Sequence, residues 1–181
     1  MDDLPQRLLL HGVDTLQCAY YLYPANPGKL DIAHLRLMRE ELREGKDKDP
    51  AKIHLGGRTI LLHPFGTSSG YPFLLSDEDF KIEFGEFNAP SFFVTFKSQA
   101  LWRKSPYLLH KDFLQCAASI GYAPLQPERI SRLDCYFDYH LPTVDFDKVT
   151  FVTRFSKDSV FREDGKVQTF CLGRGDAWRA T

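Results

Sequence analysis

The sequence predicts an α+β fold, with a mostly antiparallel or mixed β-sheet and two to three helices packed on it. Three observations predict it. Short segments rich in aromatic and β-branched residues recur along the chain. Two segments carry apolar residues at helical spacing. The resulting order, β-α-β-β-β-α-β-α-β, suits a sheet covered by helices on one face. At 181 residues, 20.8 kDa and 43% hydrophobic residues, the chain suits one domain, 1–181, large enough to bury a core.

The first strand is expected over Thr15–Tyr23, and Pro24-Ala25-Asn26-Pro27-Gly28 reads as a turn. Asp31 then offers an N-cap carboxylate. Ile32, Leu35, Met38 and Leu42 follow at helical spacing, and Gly45 ends the pattern. Arg36 and Glu40 form an i,i+4 pair on the opposite face. Gly45–Asp49 reads as a charged loop, Arg58–His63 as a short strand and Pro64–Pro72 as a loop. Asp79–Phe84 and Pro90–Phe96 read as paired strands joined through Gly85–Ala89. A second helix is expected from about His110 to Ile120, with Phe113, Leu114, Ala117 and Ile120 on its apolar face. Gly121 stands where a left-handed C′ residue is wanted. Arg129–His140 is the clearest strand. Asp145–Phe155 reads as a helix capped by Asp145 or as an extended segment, and Val167–Leu172 as a last strand. No internal repeat or low-complexity segment is present.

Net charge is −1, which excludes a uniformly basic nucleic-acid coat. Residues 1–90 hold ten Lys/Arg against fourteen Asp/Glu, and residues 91–181 hold thirteen against ten. The second half is therefore the better place for an anionic partner. The apolar runs, such as Ile60-Leu61-Leu62 and Phe92-Phe93-Val94, are too short to span a bilayer. The opening Met1-Asp2-Asp3, followed only by Leu8-Leu9-Leu10, is not a secretory signal. The expectation is a soluble, cytoplasmic protein without membrane contact. Cys18, Cys116, Cys135 and Cys171 form no Cys-x-x-Cys pair, so a zinc ribbon is not indicated. The first three sit among apolar neighbours and read as buried thiols.

Strand alternation divides Arg129–His140 into two faces. Ser131, Leu133, Cys135, Phe137 and Tyr139 read as a core face. Arg132, Asp134, Tyr136, Asp138 and His140 form the other. Such a charged face lies either in water or in a functional cleft, because burying unpaired charge is costly. Asp134 and Asp138 stand about 13 Å apart along an ideal strand, so both reach one ion only if the strand bends or bulges. Hard oxygen ligands of this kind suit Mg²⁺ or Mn²⁺. Trp102-Arg103-Lys104 sets an aromatic beside two cations, either a platform for single-stranded nucleic acid or a loop anchored by its Trp. Gly173-Arg174-Gly175 reads as a turn or as a site admitting a phosphate backbone. No His-x-His, Walker loop, Gly-x-Ser-x-Gly elbow or dinucleotide fingerprint appears.

Ile130-Ser131-Arg132-Leu133-Asp134-Cys135-Tyr136-Phe137-Asp138-Tyr139 resembles the Arg-hydrophobic-Asp-x-x-x-Asp strand of the trans-acting plasmid and phage replication initiators, the replication initiation factor family. Val167-Gln168-Thr169-Phe170-Cys171-Leu172-Gly173-Arg174-Gly175 resembles that family's Thr-x-x-x-Gly-x-Gly/Arg strand and turn, and residues 84–96 resemble its upstream strands more loosely. The resemblance covers about residues 80–181. It implies rolling-circle initiation. The protein would bind a replication origin, duplex and single-stranded, and a tyrosine would attack a phosphodiester with a divalent metal assisting. Asp134 and Asp138 become metal or active-site carboxylates. Arg132 becomes a phosphate-binding cation, and Arg174 and Arg179 become DNA contacts near the turn. In the family that turn leads into a strand ending in an Arg-x-Tyr-Asp-Lys-like segment. Here the chain reads Asp176-Ala177-Trp178-Arg179-Ala180-Thr181 and stops, so the resemblance implies a C-terminally truncated chain. Tyr136 and Tyr139 are the substitutes for its nucleophile. Tyr136 is favoured because Tyr139 falls on the apolar face. A non-catalytic origin-binding module and a non-DNA interaction domain are the competing readings. Some initiators dimerise, and a homodimer is left open.

Overall fold

The structure is a computed structural model that describes residues 7–46, 48–140, 158–172 and 179–180. It divides into two compact units, residues 10–137 and residues 1–9 with 138–181.

The larger unit is built on a seven-stranded sheet. Strands β1 (Arg7–Tyr20), β3 (Ala51–Leu55), β4 (Arg58–Leu62), β5 (Phe73–Ser76), β6 (Phe80–Phe84), β7 (Phe92–Phe96) and β9 (Arg129–His140) run in the order β3-β4-β5-β6-β7-β1-β9. Neighbours from β3 through β1 pair antiparallel. A short pair, β2 (Leu22–Pro24) with β8 (Tyr122–Pro124), and three helices complete the unit. The expected α+β class is the one observed.

Register explains the core. Leu16, Cys18 and Tyr20 of β1 stand opposite Phe96, Val94 and Phe92 of β7. Those three stand in turn opposite Phe80, Ile82 and Phe84 of β6. Phe84 and Ile82 stand opposite Phe73 and Leu75 of β5. Period-two alternation in each strand thus aligns into one continuous apolar face, and all eleven side chains are buried. Helix α3 (Pro106–Ser119) seals it. Its Phe113 ring lies 4.4 Å from Tyr20, 5.9 Å from Phe92 and 6.1 Å from Phe80. Burial of a Phe on this scale contributes about 1.5–3 kcal/mol.

The helices stop and start for local reasons. In α1 (Ile32–Glu44), Asp31 Oδ1 accepts from the His34 N–H at 2.9 Å, and the Gly45 N–H returns to Glu41 O at 3.0 Å. Leu35 is buried, with Ile32, Met38 and Leu42 packed against the core. The expected Arg36–Glu40 pair does not form. Arg36 reaches Glu86 instead, and Glu40 takes Arg39 and Arg43. A tertiary carboxylate and two nearer guanidiniums outcompete the i,i+4 geometry. Helix α3 begins at Pro106, a full turn before the point that periodicity indicates. Ser105 Oγ caps the Leu108 N–H, and Pro106 occupies the first turn, where its missing N–H costs nothing. Gly121 follows with φ +92°. A Cβ there would collide with the Asn26 carbonyl oxygen, so only glycine ends this helix.

Several short elements are not legible from periodicity. β1 starts well before Thr15, and the chain breaks at Tyr21 before β2. Buried Ser91 fixes that corner, accepting from the Leu22 N–H at 2.9 Å and donating to Leu22 O at 2.8 Å. β3 and β5 fall in segments to which the sequence reading assigns no element. Trp102 lies in a short helix, α2 (Ser98–Arg103), and not in a loop.

The second unit carries a three-stranded sheet, β10 (Asp158–Glu163), β11 (Lys166–Leu172) and β12 (Arg179–Ala180). Asp164 and Gly165, both with positive φ, make the tight turn joining the first two. β11 is the expected last strand. The ambiguous segment Asp145–Phe155 lies outside the described residues. Among the described residues, no helix is long and apolar enough to cross a membrane.

Candidate nucleic-acid interface

β9 is the element on which the resemblance rests, and it lies beside β1. Alternation puts Arg132, Asp134 and Tyr136 on one face. Arg132 grips Asp134 through Nε at 2.8 Å and Nη2 at 2.6 Å, both to Oδ2. Such a pair, two residues apart on one strand, is partly exposed and contributes little to stability. It does fix the orientation of the guanidinium.

Tyr136 is the pivot of this face. Its ring lies over Gly12 of β1. A Cβ at Gly12 would meet Tyr136 Cε1 and Oη at 2.8 Å. Glycine inside a strand marks such a close approach. On its other side is Trp102, whose ring centroid lies 6.1 Å from that of Tyr136 at a 55° tilt. Trp102 is 67% exposed. Two segments far apart in the sequence, the Trp102 motif and the β9 face, therefore meet. Asp14 shares the Gly12 face of β1 by alternation and is half-buried. Sequence reasoning does not single out Gly12 or Asp14. Their signal is the alternation Gly12-Asp14-Leu16-Cys18-Tyr20, polar at one end and buried at the other.

The other face of β9 corrects an expectation. Ser131, Leu133, Cys135 and Phe137 are expected on a core face, yet all four are exposed, Leu133 at 51% and Phe137 at 59%. The helices of this unit seal the face carrying Leu16, Cys18 and Tyr20. Phe137 is left with a stacked partner, His11, at 6.3 Å. Cys135, expected as a buried thiol, is accordingly an exposed one. Cys18 and Cys116 are buried as expected, and burial pushes the Cys18 thiol up to about 11.

The two cations after Trp102 are committed elsewhere. Arg103 reaches Asp79 at 3.2 Å and Glu78 at 3.5 Å. Lys104 reaches Asp112 at 2.9 Å and Asp79 at 3.3 Å. Arg58 joins them, with Nη2 2.9 Å from Asp79 and Nε 2.6 Å from Asp77, and its guanidinium lies over the Phe80 ring at 4.8 Å. Asp79 is only 2% exposed. Burial alone would raise its pKa, but hydrogen bonds from Arg58 and Lys104 hold it below the usual carboxylate range. A cavity of about 540 Å³ opens over this network, lined by Lys52, Arg58, Asp77, Asp79 and Lys104. Its aspartates, Arg58 and Lys104 are mutually paired, so it reads as a structural clasp between the β5–β6 turn and the α2–α3 corner. Asp79, which sequence reading places merely at a strand start, is its hub.

Tyr20 is no candidate nucleophile. Its hydroxyl is buried 3.0 Å from His110 Nδ1, and burial drives its pKa well above the ordinary tyrosine range. Asp138 closes the exposed run of β9 and belongs to the second unit. Tyr139 and His140 lie on β9, and Arg179 on β12. Gly173-Arg174-Gly175 lies outside the described residues.

Among the described residues, no three His, Cys, Asp or Glu side chains converge as a metal cage. Asp134 nevertheless offers a carboxylate of the right chemistry. Mg²⁺ is commonly held by one or two carboxylates, with substrate phosphate and water completing the shell. The Oδ2 of that carboxylate is already engaged by Arg132. No family model, curated protein or solved structure matches the chain.

Proposed function

We propose that this chain is a DNA-binding unit of a rolling-circle replication initiator, acting in the cytoplasm on a plasmid or phage origin. The observation that carries the reading is the exposed Trp102 ring set against Tyr136, on the strand face that also carries the Arg132–Asp134 pair. An exposed indole stacks on an unpaired base, and a cation held in place by a carboxylate meets the neighbouring phosphate. In the catalytic form of this reading, Tyr136 Oη attacks the phosphorus and the bond to the 3′-oxygen breaks; the phenolic proton is given up to solvent and the leaving oxygen takes one from solvent, giving a 5′-phosphotyrosyl link and a free 3′-hydroxyl. Arg132 would orient the phosphate, and Asp134 would steady Arg132. A divalent ion, when bound, supplies neutralisation of phosphate charge.

A specific observation favours a second reading, in which the chain binds the origin without cutting it. The Tyr136 ring is engaged by both Gly12 and Trp102, as a wall of the platform. Two assays separate the readings. Fluorescence anisotropy with a labelled oligothymidylate should give salt-dependent binding, because phosphate contacts release counterions. Trp102→Ala should weaken it about 5- to 150-fold, the range for one lost base stack. No binding by the unaltered protein at low salt would sink both readings. Incubation of the supercoiled replicon with Mg²⁺ should then give a covalent adduct that Tyr136→Phe abolishes. Binding without any adduct leaves the non-catalytic reading.

A further inference from the structure

A second cationic pocket lies on the larger unit, between α1 and the loop Pro64–Pro72. It encloses about 360 Å³ and is lined by Arg39, Arg43, Pro64, Phe65, Gly66, Thr67 and Pro72. Arg39 is rigidly placed. Its Nη1 donates to Pro72 O at 2.6 Å, its Nη2 meets Glu40 at 2.7 Å, and its guanidinium lies 5.4 Å from the Phe73 ring centroid. The Arg39 side chain is only 17% exposed, and its Nε is buried with no hydrogen-bond partner among the described residues. Arg43 shares the same Glu40, at 3.0 Å, so one carboxylate serves two guanidiniums and the pocket keeps a positive excess. Lys48 adds a third cation, its ammonium 5.7 Å from the half-exposed Phe65 ring. The loop is held closed by a Thr67 N–H bond to Tyr71 O at 2.9 Å, and a Cβ at Gly66 would collide with that carbonyl oxygen. The wall facing the arginines is therefore backbone fixed in place.

We propose that this pocket binds a backbone phosphate of the same nucleic acid, away from the Trp102 platform, with Arg39 as the fixed donor and Arg43 as the adjustable one. The occupant rests on the nucleic-acid reading above; the anion specificity rests on the two arginines alone. A phosphodiester accepts from guanidinium N–H groups in the way Glu40 already does. The pocket registers the strand without reading its sequence.

The test uses Arg43→Gln, because Arg43 is half-exposed and its side-chain bonds go to Glu40, so the variant should fold with an unchanged melting temperature. The slope of log Kd against log salt for oligothymidylate should fall by about 0.7, the value of one single-strand phosphate contact. In parallel, thymidylyl-thymidine titrated into ¹⁵N-labelled protein should shift the Gly66 and Thr67 amides, and Arg43→Gln should abolish those shifts while Arg43→Lys retains part of them. DNA binding with an unchanged slope, or no dinucleotide shift at these amides, overturns the pocket and leaves the Trp102 platform standing. Dinucleotide shifts in a protein that binds no oligonucleotide overturn the nucleic-acid occupant and sink the reading above with it.

Discussion

Asp79 and Asp134 each sit against an arginine, and the surroundings make them opposites. Asp79 is buried and receives Arg58 from β4 and Arg103 and Lys104 from the end of α2. Asp134 is partly exposed and receives Arg132 from its own strand. The first arrangement spans tertiary structure: removing its anion takes one carboxylate from each of three cations at the joint between β4, the β5–β6 turn and α2, leaving them Asp77, Glu78 and Asp112. The second spans two residues of one strand, so little folding energy depends on it. The contrast teaches that a carboxylate–cation pair is read by what it joins and how dry it is.

The comparison breaks most sharply at Asp79. Asp79→Asn should destabilise the protein by about 2–4 kcal/mol in urea unfolding, discounted from the fully buried case because all three cations reach solvent. A loss below about 1 kcal/mol, the level of an exposed pair, would make the network ornamental. Its pH signature follows from the lowered folded pKa. The contribution is present above the unfolded carboxylate value of about 3.9 and disappears as pH falls through the folded one. The urea midpoint should therefore drop below about pH 4, and Asp79→Asn should flatten part of that drop.

Next in size is the floor of the candidate site. Gly12→Val places a side chain where the Tyr136 ring lies, so the ring must move. Overpacking of this kind costs about 1–3 kcal/mol. The same variant should weaken oligonucleotide binding toward the Trp102→Ala level, since it tilts the wall on which Trp102 leans. Full affinity in Gly12→Val would detach Tyr136 from the platform. The smallest stability effect belongs to Asp134→Asn, which should change the unfolding free energy by less than about 1 kcal/mol. It should still weaken binding, because Arg132 then loses one of the contacts that orient it. A large stability loss would move Asp134 into the same class as Asp79.

How much of this was legible depends on the range of the forces involved. Helix α1 was readable to its caps, because Asp31, the Ile32/Leu35/Met38/Leu42 spacing and Gly45 act within a few residues of one another. The β6–β7 pair was readable for the same reason. β3 and β5 were not. Ala51-Lys52-Ile53-His54-Leu55 has weak strand preference by itself and becomes a strand only by pairing with β4, Leu55 opposite Arg58. Alternation separates the two faces of β9 correctly and still expects a buried one where no described residue of the strand is buried, since the pattern gives the faces and only tertiary packing covers them.

By itself the sequence determined the α+β class, the bounds of β9, the capped α1 and the grouping of Arg132, Asp134 and Tyr136 on one side. These follow from local geometry: capping within four residues, alternation every two, apolar spacing every three to four. The tertiary structure decided that Trp102 meets Tyr136 over Gly12, that Arg103 and Lys104 serve Asp79, and that Arg39 is held at the wall of a cavity. Each of those joins residues far apart in the chain, and their meeting depends on strand order and register, which no short-range pattern encodes.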